Sequence, residues 1–424
     1  MVGYNVNPNR MKKFWILLSF SNFFIAALFG LLLRAAFVWE INWIVYRNIL
    51  HAHSHLAMLG WVYMGIFALF CHHFIPTSTS RRYSRLFWVT QISVIGMMIS
   101  FPLQGYAAVS ISFATLHILA SYVFCYRVWK DQQIAFPAVR KLVYCALVFL
   151  VLSTFGVWLL GPLAVTGGRN TALYQVAIQH YLHFQFHGWF TFAILAIFLN
   201  SLLGQRWEIN NRVFSWFFYL FTSATVLSFG LVLFWAYGTP AFQWVNNLGI
   251  LLQLASIGIF LTISRDGIRM YFNRSSYILN LIFRFGLLFL LSKIVIHSVS
   301  IFPEMADAAT TLRPLMMGFV HLTVLGFVSS FLLGFISQTG HISADSNQFL
   351  MALILFLSGI VFTEVLLFSQ GLSYWMQWGQ LPYYHEMLFV FSAMLPLSIL
   401  VIVFQVKNIN AEITKMNTVK NTYN

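Results

Sequence analysis

A chain of 424 residues that is 60% hydrophobic and only 8% charged is too apolar for a soluble globular fold, and its long apolar runs between short polar loops mark a polytopic membrane protein. The net charge of +14 does not point to nucleic acid, because the basic residues are spread over loops between apolar segments rather than gathered in one patch. Cys71, Cys125 and Cys145 form no C-x-x-C pair and no C-x-x-C-H string, so neither a disulfide framework nor covalently attached haem is implied.

Apolar length predicts about twelve spans of roughly 20 residues: 14–36, 53–75, 87–107, 108–128, 141–164, 178–200, 212–236, 243–264, 277–299, 314–337, 348–370 and 383–406. The first follows Arg10, Lys12 and Lys13, has full-span length and lacks a small-residue cleavage site, so it reads as an uncleaved helix. Only Gly105-Tyr106 marks the boundary between spans 3 and 4. Of the 24 Lys and Arg residues, 18 fall at the N-terminus, in the tail or in loops on one side. Arg34, Arg47, Arg169 and Arg313 fall on the other. The positive-inside rule then puts both termini in the cytoplasm and reads residues 1–424 as a single transmembrane domain.

In this topology spans 2, 4, 6, 10 and 12 descend from the outer face, and each carries its histidines near its start: His51, His53 and His55; His117; His180, His183 and His187; His321; His385. His297 ends span 9 on the same side, so ten of the 13 histidines lie in or near the outer half of the bilayer. Imidazole is costly in hydrocarbon without partners, so histidines at one depth are functional candidates. An internal repeat organises them. The string His55-Leu56-Ala57-Met58-Leu59-Gly60-Trp61-Val62 recurs as His321-Leu322-Thr323-Val324-Leu325-Gly326-Phe327-Val328, and more weakly from His183 to Phe190. Each copy has a glycine five residues after its histidine and an aromatic residue next to that glycine. Such a glycine suits the close approach of a flat macrocycle or of another helix, and its recurrence favours the macrocycle.

His180, His183 and His187 have i, i+3, i+7 spacing and share a helical face suited to a metal. On span 2, His51 and His55 share a face and His53 points away. Arg47 and Arg313 each precede a repeat histidine by eight residues, which suits a bidentate hold on a haem propionate; an interfacial anchor is the plainer reading. Lys293 and His297, four apart on span 9, suit the same role. Glu364 in span 11 is either a proton-relay residue or the counter-charge of Arg284, which lies deep in span 9. His117 and His385 read as structural, and Cys71-His72-His73 as a polar helix end rather than a soft-metal cluster.

These features resemble subunit I of the haem–copper oxidase superfamily. Twelve spans, a threefold arrangement and outer-half histidines cover most of the chain. Motif likeness is confined to spans 2, 6 and 10, where His51-Ala52-His53-Ser54-His55 with Leu59-Gly60-Trp61 is similar to a string that C-type oxidases carry on their tenth helix. The resemblance implies that His55 and His321 are axial ligands of a non-covalent low-spin haem b, and that His183 or His187 belongs to a copper site. It departs from the family in two places: span 7 lacks the His-His pair, and Phe319 stands where the tenth helix carries a second histidine. The dinuclear gas-reducing centre is therefore not visible, catalysis is not implied by the resemblance alone, and the span-2 histidines are left to build a second site with span 6. Tyr384-His385-Glu386-Met387-Leu388-Phe389 also resembles an element of NnrS-type haem and copper membrane proteins of nitric oxide tolerance.

The expectation is an all-α haem protein of the bacterial cytoplasmic membrane with copper as a second cofactor. It would act in respiratory electron transfer or in binding or reducing oxygen or nitric oxide. Lipid surrounds it, and cytochrome c or quinol as electron donor and partner subunits are implied. A proton- or metal-coupled secondary transporter is the competing class, since buried charges suit it, but its repeats divide a chain in two rather than in three.

Overall fold

The computed structural model describes residues 13–205, 207–342 and 346–406. Among them are twelve helices long and apolar enough to cross a membrane: α1 (Lys13–Ala35), α2 (Tyr46–Phe74), α3 (Thr77–Gln104), α4 (Ala108–Asp131), α5 (Pro137–Val165), α6 (Ala172–Leu203), α7 (Asn211–Tyr237), α8 (Pro240–Arg274), α9 (Tyr277–Ile301), α10 (Arg313–Gln338), α11 (Asn347–Trp375) and α12 (Tyr384–Phe404). They correspond one to one with the predicted spans, and most run past the predicted ends because polar residues extend the terminal turns. Gly105, in the left-handed region at φ 63°, makes the sharp turn between α3 and α4 that little else in the sequence marks. Arg10, Lys12, Arg206, Lys407, Lys415 and Lys420, which enter the charge count, lie outside the described residues.

Three helices form the centre. In the most apolar stretches of α2, α6 and α10, 83%, 89% and 78% of residues are buried, against 28% to 56% in the other nine. The remaining helices surround them in three arcs. The first helix of each group of four packs on the central one (α1 on α2, α5 on α6, α9 on α10), and the third and fourth pack on each other (α3 on α4, α7 on α8, α11 on α12). Helix α12 returns to α1 and closes the ring.

The repeat is visible in the backbone itself. Each central helix widens into a π-helical segment immediately after its repeat histidine: Leu56–Tyr63 after His55, Phe184–Phe190 after His183, and Leu322–Ser329 after His321. Such segments are rare and collect at functional sites. The repeat glycine lies within each of them. A methyl group there would come within 3.0 Å of Asn22 Cβ at Gly60, 2.6 Å of Phe149 Cβ at Gly188, and 2.9 Å of Phe289 Cγ at Gly326. Those neighbours belong to α1, α5 and α9. The glycines therefore seat the first helix of each group against the central one, and the expectation that they make room for a macrocycle is corrected: protein fills that space.

Carbonyls of the wide turns are caught by side chains, as buried acceptors require. Asn22 donates to the Gly60 carbonyl at 2.9 Å. Thr191 donates to that of Phe186 at 2.6 Å, and Ser329 to that of Val324 at 2.7 Å. Ser329 in turn accepts from Trp61 Nε1 at 2.8 Å, linking α10 to α2.

Candidate functional site

Histidines gather in three groups at the N-terminal ends of the central helices. The first joins α2 and α10. The rings of His53 and His321 lie edge-on to each other with centres 6.4 Å apart and planes at 74°. His53 Nδ1 lies 2.8 Å from the Ala26 carbonyl of α1. A carbonyl only accepts, so that nitrogen carries the proton and Nε2 keeps its lone pair. Gly30 cradles the ring, since a methyl group there would reach 2.9 Å from His53 Cε1. Neither nitrogen of His321 has a hydrogen bond among the described residues. Both rings are half-buried between helices.

His55 lies elsewhere. Its Nδ1 is 2.8 Å from the His51 carbonyl, its Nε2 is 3.3 Å from Tyr106 Oη, and its ring packs at 4.3 Å on Phe101. His117 of α4 lies nearby and packs edge-on to Tyr63. This corrects the expected orientation on span 2. The histidine opposite His321 is His53, while His51 and His55 face α3 and the turn before α4. A helical wheel separates His53 from His55 correctly but cannot say which side meets α10.

The third group joins α6 and α9. His187 lies 4.8 Å from His183 and 4.8 Å from His297, centre to centre. His183 Nε2 is tied to the Thr225 carbonyl at 2.8 Å, and His297 Nδ1 to Gln253 Oε1 at 2.9 Å. Each thereby has one nitrogen fixed and one free. His187 makes no hydrogen bond among the described residues. His180 packs on Phe184 and Phe229, which His183 also touches, and has no ring contact with His187 among the described residues. Phe319 takes its place beside the cluster, 5.9 Å from His187 and 6.1 Å from His297. Among the described residues no three His, Cys, Asp or Glu side chains converge on one point as in a finished metal site; the imidazoles meet in pairs.

Charges accompany both groups. Lys293, 2% exposed, donates to Thr191 Oγ1 at 3.1 Å and to the Phe186 carbonyl at 3.5 Å. It therefore anchors the α6 π-turn beside the histidines. Arg34, at the end of α1, turns inward and donates to Met317 Sδ at 3.9 Å. It lies within electrostatic reach of His53, His321 and Glu364. Arg284 sits on an exposed face of α9 over the Phe272 ring, so the cation facing Glu364 is Arg34. Arg47 and Arg313 are exposed; Arg47 lies near His51 and Arg313 near Tyr46. His385 stacks on Phe37 at 4.9 Å in the first turn of α12.

Nothing in the sequence pattern singles out Arg34, which reads as a loop-end cation, or Gln253. Only their spacing marks Lys293 and His297. No protein-family model matches the chain, and no curated protein matches it in sequence.

Proposed function

We propose that this chain is a haem-binding integral membrane protein, distantly related to haem–copper oxidase subunit I, in which His53 and His321 hold one b-type haem between α2 and α10. One observation carries the reading: the 6.4 Å separation of those rings. An imidazole nitrogen binds a metal at about 2 Å and the ring centre lies roughly 1 Å further back, so two imidazoles on opposite sides of one iron hold their centres about 6 Å apart. The fixed tautomer of His53 and the unbonded nitrogens of His321 suit the same role. Bound there, haem supplies reversible one-electron chemistry. The chain's own part is to orient the ligands. The Ala26 carbonyl fixes His53, the π-turn beginning at Leu322 sets the depth of His321, and Arg34 places a positive charge beside both.

The α6–α9 cluster suits a copper ion by ligand type. Two imidazoles on one tetrahedral ion hold their centres about 5 Å apart, close to the spacings on either side of His187. His187, free of hydrogen bonds among the described residues, is the ring able to turn toward both neighbours. Phe319, packed against this cluster, occupies the position where the family carries its extra haem ligand. That favours electron transfer, or binding of a diatomic gas such as nitric oxide or oxygen, over the family's dinuclear reduction chemistry. A bacterial cytoplasmic membrane is the setting this reading implies.

The test is the reduced-minus-oxidised visible spectrum of the purified protein. Sharp α and β bands of a six-coordinate low-spin haem are expected. A haem-free protein, or one with only a five-coordinate spectrum, would defeat the proposal.

A further inference from the structure

At the α2–α10 interface the repeat histidine His321 meets His53, the residue two before the repeat histidine of α2. The same relation between α2 and α6, which also pack on each other, pairs His55 with Tyr181. Tyr181 lies near Tyr106, and the Tyr106 hydroxyl is 3.3 Å from His55 Nε2. Tyr174 of α6 lies near Tyr106 as well. At this third interface phenols stand beside the repeat histidine, and neither the haem nor the copper reading uses them.

His51 and His55 are one turn apart on the regular α-helical start of α2, and two histidines at i and i+4 on one face can hold a single ion together. Tyr106 packs against both, its ring centre 4.6 Å from that of His51 and 5.8 Å from that of His55. Gly105 sets it there: the turn at φ 63° lies so close to α2 that a methyl group on it would meet Asn48 Oδ1 at 2.5 Å. Hydrogen bonds assign the protons. His55 Nδ1 faces the His51 carbonyl, so it carries the proton and Nε2 keeps its lone pair. The Tyr106 hydroxyl therefore donates to Nε2 and is a protonated phenol. The His51 ring has no hydrogen bond among the described residues. Phe101 packs on both imidazoles, and His117 lies near His55 with its Nε2 buried and unpartnered among the described residues. Tyr106 is 56% exposed, which gives an ion a way in. Arg47, near His51, is exposed as well, so solvent weakens its repulsion of a cation.

We infer that His51, His55 and Tyr106 form a binding site for one divalent ion of the zinc class. Two neutral imidazoles and one phenolate oxygen suit such an ion and leave a fourth position for water. Because the third donor is a tyrosine oxygen, the site is complete without a third His, Cys, Asp or Glu. On binding, the phenol O–H bond breaks, its proton leaves to solvent and the oxygen bonds the metal; nothing is oxidised or reduced. The site stands whether or not haem or copper is bound elsewhere.

The experiment is a titration of the purified protein with Zn2+, read by near-ultraviolet difference spectra, proton release and equilibrium dialysis. Zn2+ is colourless, so a tyrosinate difference band reports the phenol alone, and a proton should be released with it. Both readouts on the unmodified protein are independent of how any variant folds. Tyr106→Phe should lose the band and weaken zinc binding by about tenfold or more, the loss typical even of a partner that only orients a ligand. His51→Ala and His55→Ala should each lose the band and the same affinity. His187→Ala should keep the band, because the imidazoles of the α6–α9 cluster have no phenol to ionise. No band in the unmodified protein, a band that survives Tyr106→Phe, a band lost in His187→Ala, or undiminished zinc binding in both α2 histidine variants overturns the inference. A haem-free protein that shows the band defeats the earlier reading and leaves this one standing.

Discussion

The α2–α10 and α6–α9 histidine groups grow from copies of one repeat, yet they present different geometries. In the first, two edge-on rings lie 6.4 Å apart, one fixed to a carbonyl and one unbonded among the described residues. In the second, a central unbonded ring has a fixed neighbour on each side at 4.8 Å. Their charged companions differ as well: Arg34 with Glu364 in one, Lys293 in the other. The repeat sets what the two share, namely depth, the π-turn and the glycine contact with the preceding helix. Residues outside the repeat, on α1, α7, α8 and α9, set which nitrogen is free and what stands opposite it.

Removing His321 should separate the two regions most sharply. His321→Ala is expected to lose nearly all low-spin haem while copper bound at the α6–α9 cluster stays in place, as read by absorption and metal analysis on one preparation. Loss of both together would mean the two regions form one site. Conversely, His187→Ala should release copper and leave the haem spectrum unchanged, and His180→Ala should release none. Gln253→Ala, which frees the ring of His297, should weaken copper binding by about 10–100-fold. Equal losses from His180→Ala and His187→Ala would restore the shared face expected from helical spacing.

The smallest expected effect concerns the feature the regions share. Gly188→Ala places a methyl group 2.6 Å from Phe149 Cβ, and overpacking of this kind costs about 1–3 kcal/mol. The thermal midpoint should fall while the haem bands keep their positions. A shifted haem spectrum with unchanged stability would show that the repeat glycines border the cofactor after all.

Much of this architecture is legible in the sequence because a membrane imposes strong rules. Length and apolarity place twelve helices, and the spaced histidine strings single out α2, α6 and α10, the three helices at the centre. The pairing of the histidines is not legible. His53 and His55 are two residues apart on one helix, and which of them meets His321 depends on how α1 and α3 flank α2. Trp61 contributes by reaching Ser329 on α10, a contact between residues 268 positions apart that no local pattern encodes. The π-turns are hidden as well: they rotate the helix after each histidine, and a 3.6-residue period carried through them misplaces the side chains beyond. His183 and His187, one just before the α6 π-turn and one within it, nevertheless stay stacked at 4.8 Å. Arg34 carries no signal in the sequence because a cation at a helix end ordinarily anchors the interface, and only packing against α10, α11 and α12 turns it inward.

The decisive comparison is of haem content and low-spin character in His53→Ala and His55→Ala, purified side by side. If His53 is the partner of His321 on the iron, His53→Ala loses the six-coordinate low-spin spectrum while His55→Ala keeps it at full stoichiometry. A His53→Ala protein with intact low-spin haem, or loss confined to His55→Ala, would contradict that assignment.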